Sequence, residues 1–185
     1  MSHNILQSIL TPYLKLSARL TISRQIISFM DTIVDARHIM VIMPEKLEDF
    51  GIARNYLSVL KRNFPKARIT VVLKEQYQNL IDQSHRFGTI FVASSSRNVL
   101  GLPKKELIQK ISSFKSDIAI DLNHTFQFFS TYLCLKSGAK LRIGLEDSER
   151  DVYYNFCFRT QQNEKLDNKY RKMFKYLDAT AKGNS

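Results

Sequence analysis

From His38 onward, short β-rich apolar runs alternate with segments whose apolar residues recur every three or four positions. His38–Met43 is a continuous apolar run, as expected of a strand covered on both faces. The segment after it carries Ile52, Tyr56, Leu60 and Phe64 on one stripe and Arg54, Ser58, Lys61 and Arg62 on the other, which predicts an amphipathic helix closed by Asn63-Phe64-Pro65. Further strands are predicted at Ala67–Leu73, Thr89–Ala93, Asp117–Leu122 and Lys140–Leu145. Helices are predicted at Glu75–Asp82, at Leu102–Phe114 with Pro103 near its first turn, and at Thr125–Lys136. The last of these is apolar nearly all round and should be buried, with Ser137-Gly138 ending it. The alternation predicts an α/β fold: a single Rossmann-like domain with a mostly parallel five-stranded sheet and helices on both faces.

The two ends depart from that alternation. Residues Asn4 to about Asp35 show one helical stripe (Leu6, Ile9, Tyr13, Leu16, Leu20, Ile27, Met30, Val34), broken where Thr11 can cap a helix opened by Pro12. This N-terminal helical extension, residues 1–36, either packs on the sheet or rests on a membrane. After Leu145 comes a charged loop to Asp151, then Asp151–Phe158, an aromatic-rich extended or edge segment. A C-terminal helix over Glu164–Ala181 completes a domain of residues 37–182, ahead of a frayed tail at 183–185.

Composition narrows the class. With 185 residues and 44% hydrophobic content, the chain suits one substantial domain. It has no stretch of about 18 apolar residues and no signal-peptide pattern, so the expected location is the cytoplasm. Cys134 and Cys157 sit in apolar contexts and read as core thiols. There is no zinc spacing, and no metal or cofactor is expected. The net charge of +11 points to an anionic partner, although no dense basic block marks a nucleic-acid binder.

In an open parallel sheet, ligands bind beyond the carboxyl ends of the strands. That rim comprises Pro44–Asp49, Lys74, Ser94–Asn98, Asn123-His124 and Gly144–Asp147. It carries no GxGxxG, no GxxxxGK[ST] and no GxSxG, which disfavours dinucleotide, P-loop and α/β-hydrolase chemistry. Asp49 can act as a general base toward a hydroxyl or as a helix N-cap. Glu45 and Glu48 read as solvated rim charges. His124 can touch a ligand or make a local hydrogen bond, and Asn123 stands beside it. Ser94 and Arg97 belong to a loop that either binds an anion or is merely polar. Asp121 lies at the functional end of its strand. Tyr153, Tyr154 and Asn155 can stack on a sugar or form an aromatic core edge.

The ordered set of motifs resembles the N-terminal domain of glycosyltransferase family 9, the heptosyltransferases of lipopolysaccharide biosynthesis that use ADP-heptose. The matching residues are Leu47-Glu48-Asp49, Leu60-Lys61-Arg62-Asn63-Phe64-Pro65, Asp117–Leu122, Ser137–Gly144 and Tyr154-Asn155. The resemblance implies a GT-B acceptor domain with Asp49 as catalytic base of an inverting transfer. It places Glu48 where the family has a substrate-lining glycine, and Asn55 where it has a proline. It also implies that the nucleotide-sugar domain must come from a partner chain, so transfer by this chain alone is not expected. An anionic glycolipid or membrane surface is the other partner implied. The alternatives are a non-catalytic binding or scaffold module of the same descent and, last, a basic nucleic-acid-binding Rossmann-like protein.

Overall fold

The structure is a computed structural model that describes residue 12 and residues 28–82, 86–147, 150, 153–161 and 163–183. Apart from Pro12, the helical reading of the chain before Ser28, with Thr11 as a cap, lies outside the described residues, as do the last two residues of the tail. The described chain begins with α1 (Phe29–Val34), which Ser28 caps by accepting the Asp31 N–H at 3.3 Å.

All strands are parallel: β1 (His38–Ile42), β2 (Arg68–Lys74), β3 (Gly88–Val92), β4 (Ile118–Asp121), β5 (Leu141–Leu145) and β6 (Phe156–Phe158), in the order β3-β2-β1-β4-β5-β6. The sheet therefore has six strands, not five. The aromatic segment after the charged loop contributes β6, whose Phe156, Cys157 and Phe158 register with Ile143, Gly144 and Leu145. Three residues are too few to show a strand period, which is why the sequence reads only as an extended segment.

Alternation along the strands sorts the core into two faces. Ile39 and Val41 of β1 point to one, with Val71 and Ile120, beneath α1, α2 (Leu47–Ala53), α3 (Asn55–Asn63) and α6 (Leu166–Lys182). Tyr170, Met173, Phe174 and Leu177 of α6 recur on one stripe and are all essentially buried there, Met173, Phe174 and Leu177 each worth about 1.5–3 kcal/mol of burial. Met40 and Ile42 point to the other face, beneath α4 (Lys105–Ser113) and α5 (Phe128–Lys136). The run from Phe128 is buried nearly all round, and Gly138 follows it in left-handed backbone (φ 72°).

Several boundaries differ from the sequence reading. The stretch after β1 is two helices, parted at Arg54, although Arg54 itself keeps helical angles. There the Leu57 N–H reaches back only three residues, to the Arg54 carbonyl, so the turn tightens. Glu75–Leu80 is a short 3₁₀ helix. The helix expected from Leu102 starts at Lys105, because Pro103 is held in an antiparallel bridge to Arg97. The helix expected from Thr125 begins at Phe128.

Candidate functional site at the switch point

β1 and β4 are neighbours whose onward connections run to opposite sides of the sheet, which opens a crevice beyond their carboxyl ends. Asp121 ends β4 and is fully buried. Its Oδ1 accepts from the Asn123 N–H at 2.9 Å and from Asn123 Nδ2 at 2.8 Å. Its Oδ2 meets Arg150 Nη2 at 2.9 Å and accepts from the Tyr154 hydroxyl at 2.6 Å. Arg150 is buried too and donates to the Asn123 carbonyl at 2.5 Å and to the Leu145 carbonyl at 3.3 Å.

Burial works against the Arg150 charge, but Tyr154 and Asp121 outweigh it and hold the guanidinium above its ordinary pKa. Burial, then the Asp121 charge, pushes the Tyr154 hydroxyl up. The same two causes raise the buried Cys134 thiol. Tyr154 lies against Gly144, where an added Cβ would stand 3.2 Å from the ring. Above this network, Asn123 Oδ1 accepts the Glu45 N–H at 3.3 Å, tying the loop after β4 to the loop after β1.

On that floor, His124 Nδ1 stands 3.2 Å from Asp49 Oδ2. Asp49 does not cap α2. Lys46 occupies the cap position, no side chain caps there, and Asp49 lies in the first turn, where the helix dipole favours a carboxylate. Both side chains are partly exposed, so the pair is open to a ligand across the crevice. Glu48 is exposed beside it on the same turn.

Ser94 and Arg97 line a second recess, of about 300 Å³, together with Glu45, Lys74, Glu75 and Gln76. Glu45 is not a free surface charge. Its Oε1 meets Arg97 Nη2 at 2.6 Å, its Oε2 stands 3.8 Å from Lys74 Nζ, and its carbonyl accepts from the Tyr77 hydroxyl at 2.9 Å. The Arg97 guanidinium also stacks over Phe129 at 3.7 Å. Asp49, Asn123 and His124 thus gather at the switch point, while Ser94 and Arg97 gather one strand pair away, with Glu45 joining the two.

Sequence reasoning missed Arg150, and it read Glu45 as a solvated charge where the structure pairs it with Arg97 and Lys74. The place of Asp121 at the functional end of its strand pointed toward β4, but Arg150 lay inside a charged loop with nothing to mark it as buried. Tyr154 belongs to the core edge, not to an open stacking surface. Asn155 joins the strand ends: its Oδ1 accepts the Arg142 N–H at 2.6 Å, and its Nδ2 donates to the Lys140 carbonyl at 2.7 Å. Among the described residues, no three His, Cys, Asp or Glu side chains converge as a metal site.

A parallel sheet in this order, with helices on both faces, defines a Rossmann-type α/β domain. The chain belongs to the family described as "Family of unknown function (DUF6913)", whose model matches residues 19–179. Among solved structures it is similar to the glycosyl transferase family 9 protein from Veillonella parvula DSM 2008, at 22% identity and a TM-score of 0.58, over 80% of this chain and 42% of that one. It is also similar to E. coli heptosyltransferase WaaC with ADP, at 14% identity and a TM-score of 0.58, over 80% of this chain and 48% of that one. WaaC with ADP-2-deoxy-2-fluoro heptose matches at 14% identity and a TM-score of 0.50. The chain thus matches less than half the length of each structural relative. No curated protein matches the sequence. The expected resemblance to glycosyltransferase family 9 holds in the fold.

Proposed function

We propose that this chain is a glycosyltransferase family 9-like acceptor domain, with Asp49 as the base and His124 as the residue that positions it. The carrying observation is the 3.2 Å Asp49–His124 pair, which joins the loops after β1 and β4 across the crevice. His124 fixes one carboxylate oxygen and leaves the other to accept a proton from an acceptor hydroxyl. That hydroxyl oxygen then bonds to the anomeric carbon of the donor sugar as the bond to the nucleoside diphosphate breaks, inverting the configuration. The nucleotide-sugar site is supplied by a partner chain. The buried Asp121–Arg150 network keeps Asn123 and His124 in place, and the recess at Ser94 and Arg97 takes a more distant part of the acceptor.

Glu48 favours a second reading, a binding module without chemistry. It sets an exposed negative side chain next to Asp49, where an anionic acceptor would be repelled.

The test is transfer from ADP-heptose to a glycan acceptor by the chain together with its co-purifying partner. Asp49→Asn should lower the rate by about 100-fold or more. Transfer that survives this substitution removes Asp49 from the role of base. Glycan binding that His124→Ala abolishes, without any transfer, establishes the binding module. Neither transfer nor binding rules out both readings.

A further inference from the structure

The sheet ends at β3 on one side and at β6 on the other. An end strand turns alternate N–H and C=O groups away from its neighbour, and folds usually blunt such an edge with charges, prolines, bulges or brevity. β6 is blunted by brevity: it has three residues, and its rings are occupied, Phe156 stacking on Phe29 at 4.4 Å and Phe158 meeting Tyr176 at 5.9 Å. β3 uses none of these devices. It keeps unbroken register with β2 from Gly88 to Val92, and the stretch from Phe87 to Ser96 contains no charged residue and no proline. Among the described residues, Gly88–Val92 makes no backbone hydrogen bond beyond its ladder with β2.

One face of β3 is uncovered as well. Ile90 and Val92 point into the core beneath α4 and α5, so Thr89 and Phe91 point to the opposite face. On that face the connection from β1 to β2 supplies two α-helices, whereas the described residues of the connection from β2 to β3 supply the short 3₁₀ helix Glu75–Leu80. Tyr77 of that helix turns inward onto Phe50, at 4.7 Å, and Phe91 is left 43% exposed.

An uncharged edge and an exposed ring on one strand fit a second copy of the same strand. With that copy antiparallel and Ile90 at the twofold axis, the whole strand pairs: Gly88 faces the partner's Val92, Thr89 the partner's Phe91, and Ile90 the partner's Ile90. Each Phe91 then lies beside a β-branched side chain on the same face, a favourable cross-strand pair. The outward N–H and C=O groups of the two strands satisfy one another.

Charge permits this approach although the chain carries +11. Arg86, ahead of the strand, stands across from the partner's Ser94. The two copies of Arg86 are therefore about eight residue steps apart, about 27 Å, well outside a screening length of about 8 Å. Arg97, beyond the strand, turns inward to Glu45 and Phe129.

We propose that two copies of the chain associate through β3, edge to edge and antiparallel, so that their sheets become one continuous sheet. The pairing closes on itself, which stops assembly at a dimer and removes the long open edge of the fold. The β1–β4 crevice lies two strands in, about 10 Å from the joined edge, and stays accessible. Because the twofold axis stands normal to the sheet, the two crevices open at opposite ends of the dimer. The association does not depend on whether the crevice carries out transfer.

The test is sedimentation equilibrium of the full chain over a range of concentrations, in which the mass should rise from that of one chain to that of two and no further. Thr89→Lys with Phe91→Lys sets like charges opposite one another in both cross-strand pairs and should weaken the dimer about tenfold or more. Val99→Lys with Leu100→Lys adds the same charge to an exposed apolar pair outside the strand and should leave the dimer unchanged. A circular dichroism melt checks that both variants are folded. Thr89→Cys with Phe91→Cys keeps the test decisive if the lysine pair unfolds the chain. Mild oxidation should join two copies of it covalently, whereas Thr89→Cys alone, with its thiols on a diagonal of about 7 Å, should cross-link no more than the wild-type chain. The proposal is overturned if the chain stays monomeric at the highest concentration reached, if the two lysine variants lose association equally, if the edge variant keeps wild-type association, or if the double-cysteine variant fails to cross-link.

Discussion

Asp121 and Arg150 form an ion pair with no solvent exposure on either side chain, 2.9 Å from Oδ2 to Nη2. Two charges removed from water in this way hold a structure only while both are present. Arg150→Met should therefore destabilise the domain by about 3–5 kcal/mol, because it leaves the Asp121 carboxylate buried and uncompensated. Combining Arg150→Met with Asp121→Asn should cost less than the two single changes added together, by about 1 kcal/mol or more. Urea unfolding of the three variants checks this; strict additivity would mean that the pair is not coupled in solution.

The second prediction concerns alkaline pH. Burial, together with the hydrogen bond to Asp167 at 2.9 Å, pushes the Tyr56 hydroxyl up from 10.0 to about 12. Between those values the folded chain holds a proton that the unfolded chain has lost. Stability from Tyr56 is thus complete below pH 10 and disappears as pH rises through about 12. The more deeply buried Tyr154 and Tyr170 hydroxyls are shifted the same way, by burial first. The urea midpoint should fall steadily above pH 10, and less steeply in Tyr56→Phe. An unchanged slope in that variant would show that Tyr56 titrates as a free phenol.

Lys115 provides a third. It follows α4 in left-handed backbone (φ 47°), the place where helices commonly end on glycine. Lys115→Gly should raise stability by up to about 1 kcal/mol, read as a higher urea midpoint. A lowered urea midpoint would mean that the turn is not left-handed in solution.

Much of the scaffold was legible in the sequence because burial imposes a period. His38–Met43 could only be a strand covered on both faces, and α6 declared itself through Tyr170, Met173 and Leu177. The break at Arg54 was not legible, because the stripe from Ile52 through Tyr56 to Phe64 runs on across it and only a tightened turn marks the change. β6 escaped because Phe156–Phe158 is too short to alternate. At the site, the rim position of Asp49 could be read from strand–loop–helix order, but its pairing with His124 could not. That contact joins residues far apart in the chain, through loops that follow two different strands. Arg150 failed for a related reason: its neighbours are charged, and only the tertiary fold takes it out of water.

The strand order also sets a timetable. β1 pairs with β2, about thirty positions later, and with β4, nearly eighty positions later. The pairings within the β1–β2–β3 half span at most about thirty positions, whereas the opposite side of β1 must wait for β4. Until then β1 keeps an open apolar edge, the kind of surface that recruits foreign strands. The same docking event that covers this edge brings His124 to Asp49. The crevice is therefore completed only when the second half of the sheet closes on β1, and a chain halted before β4 would be both siteless and prone to aggregate.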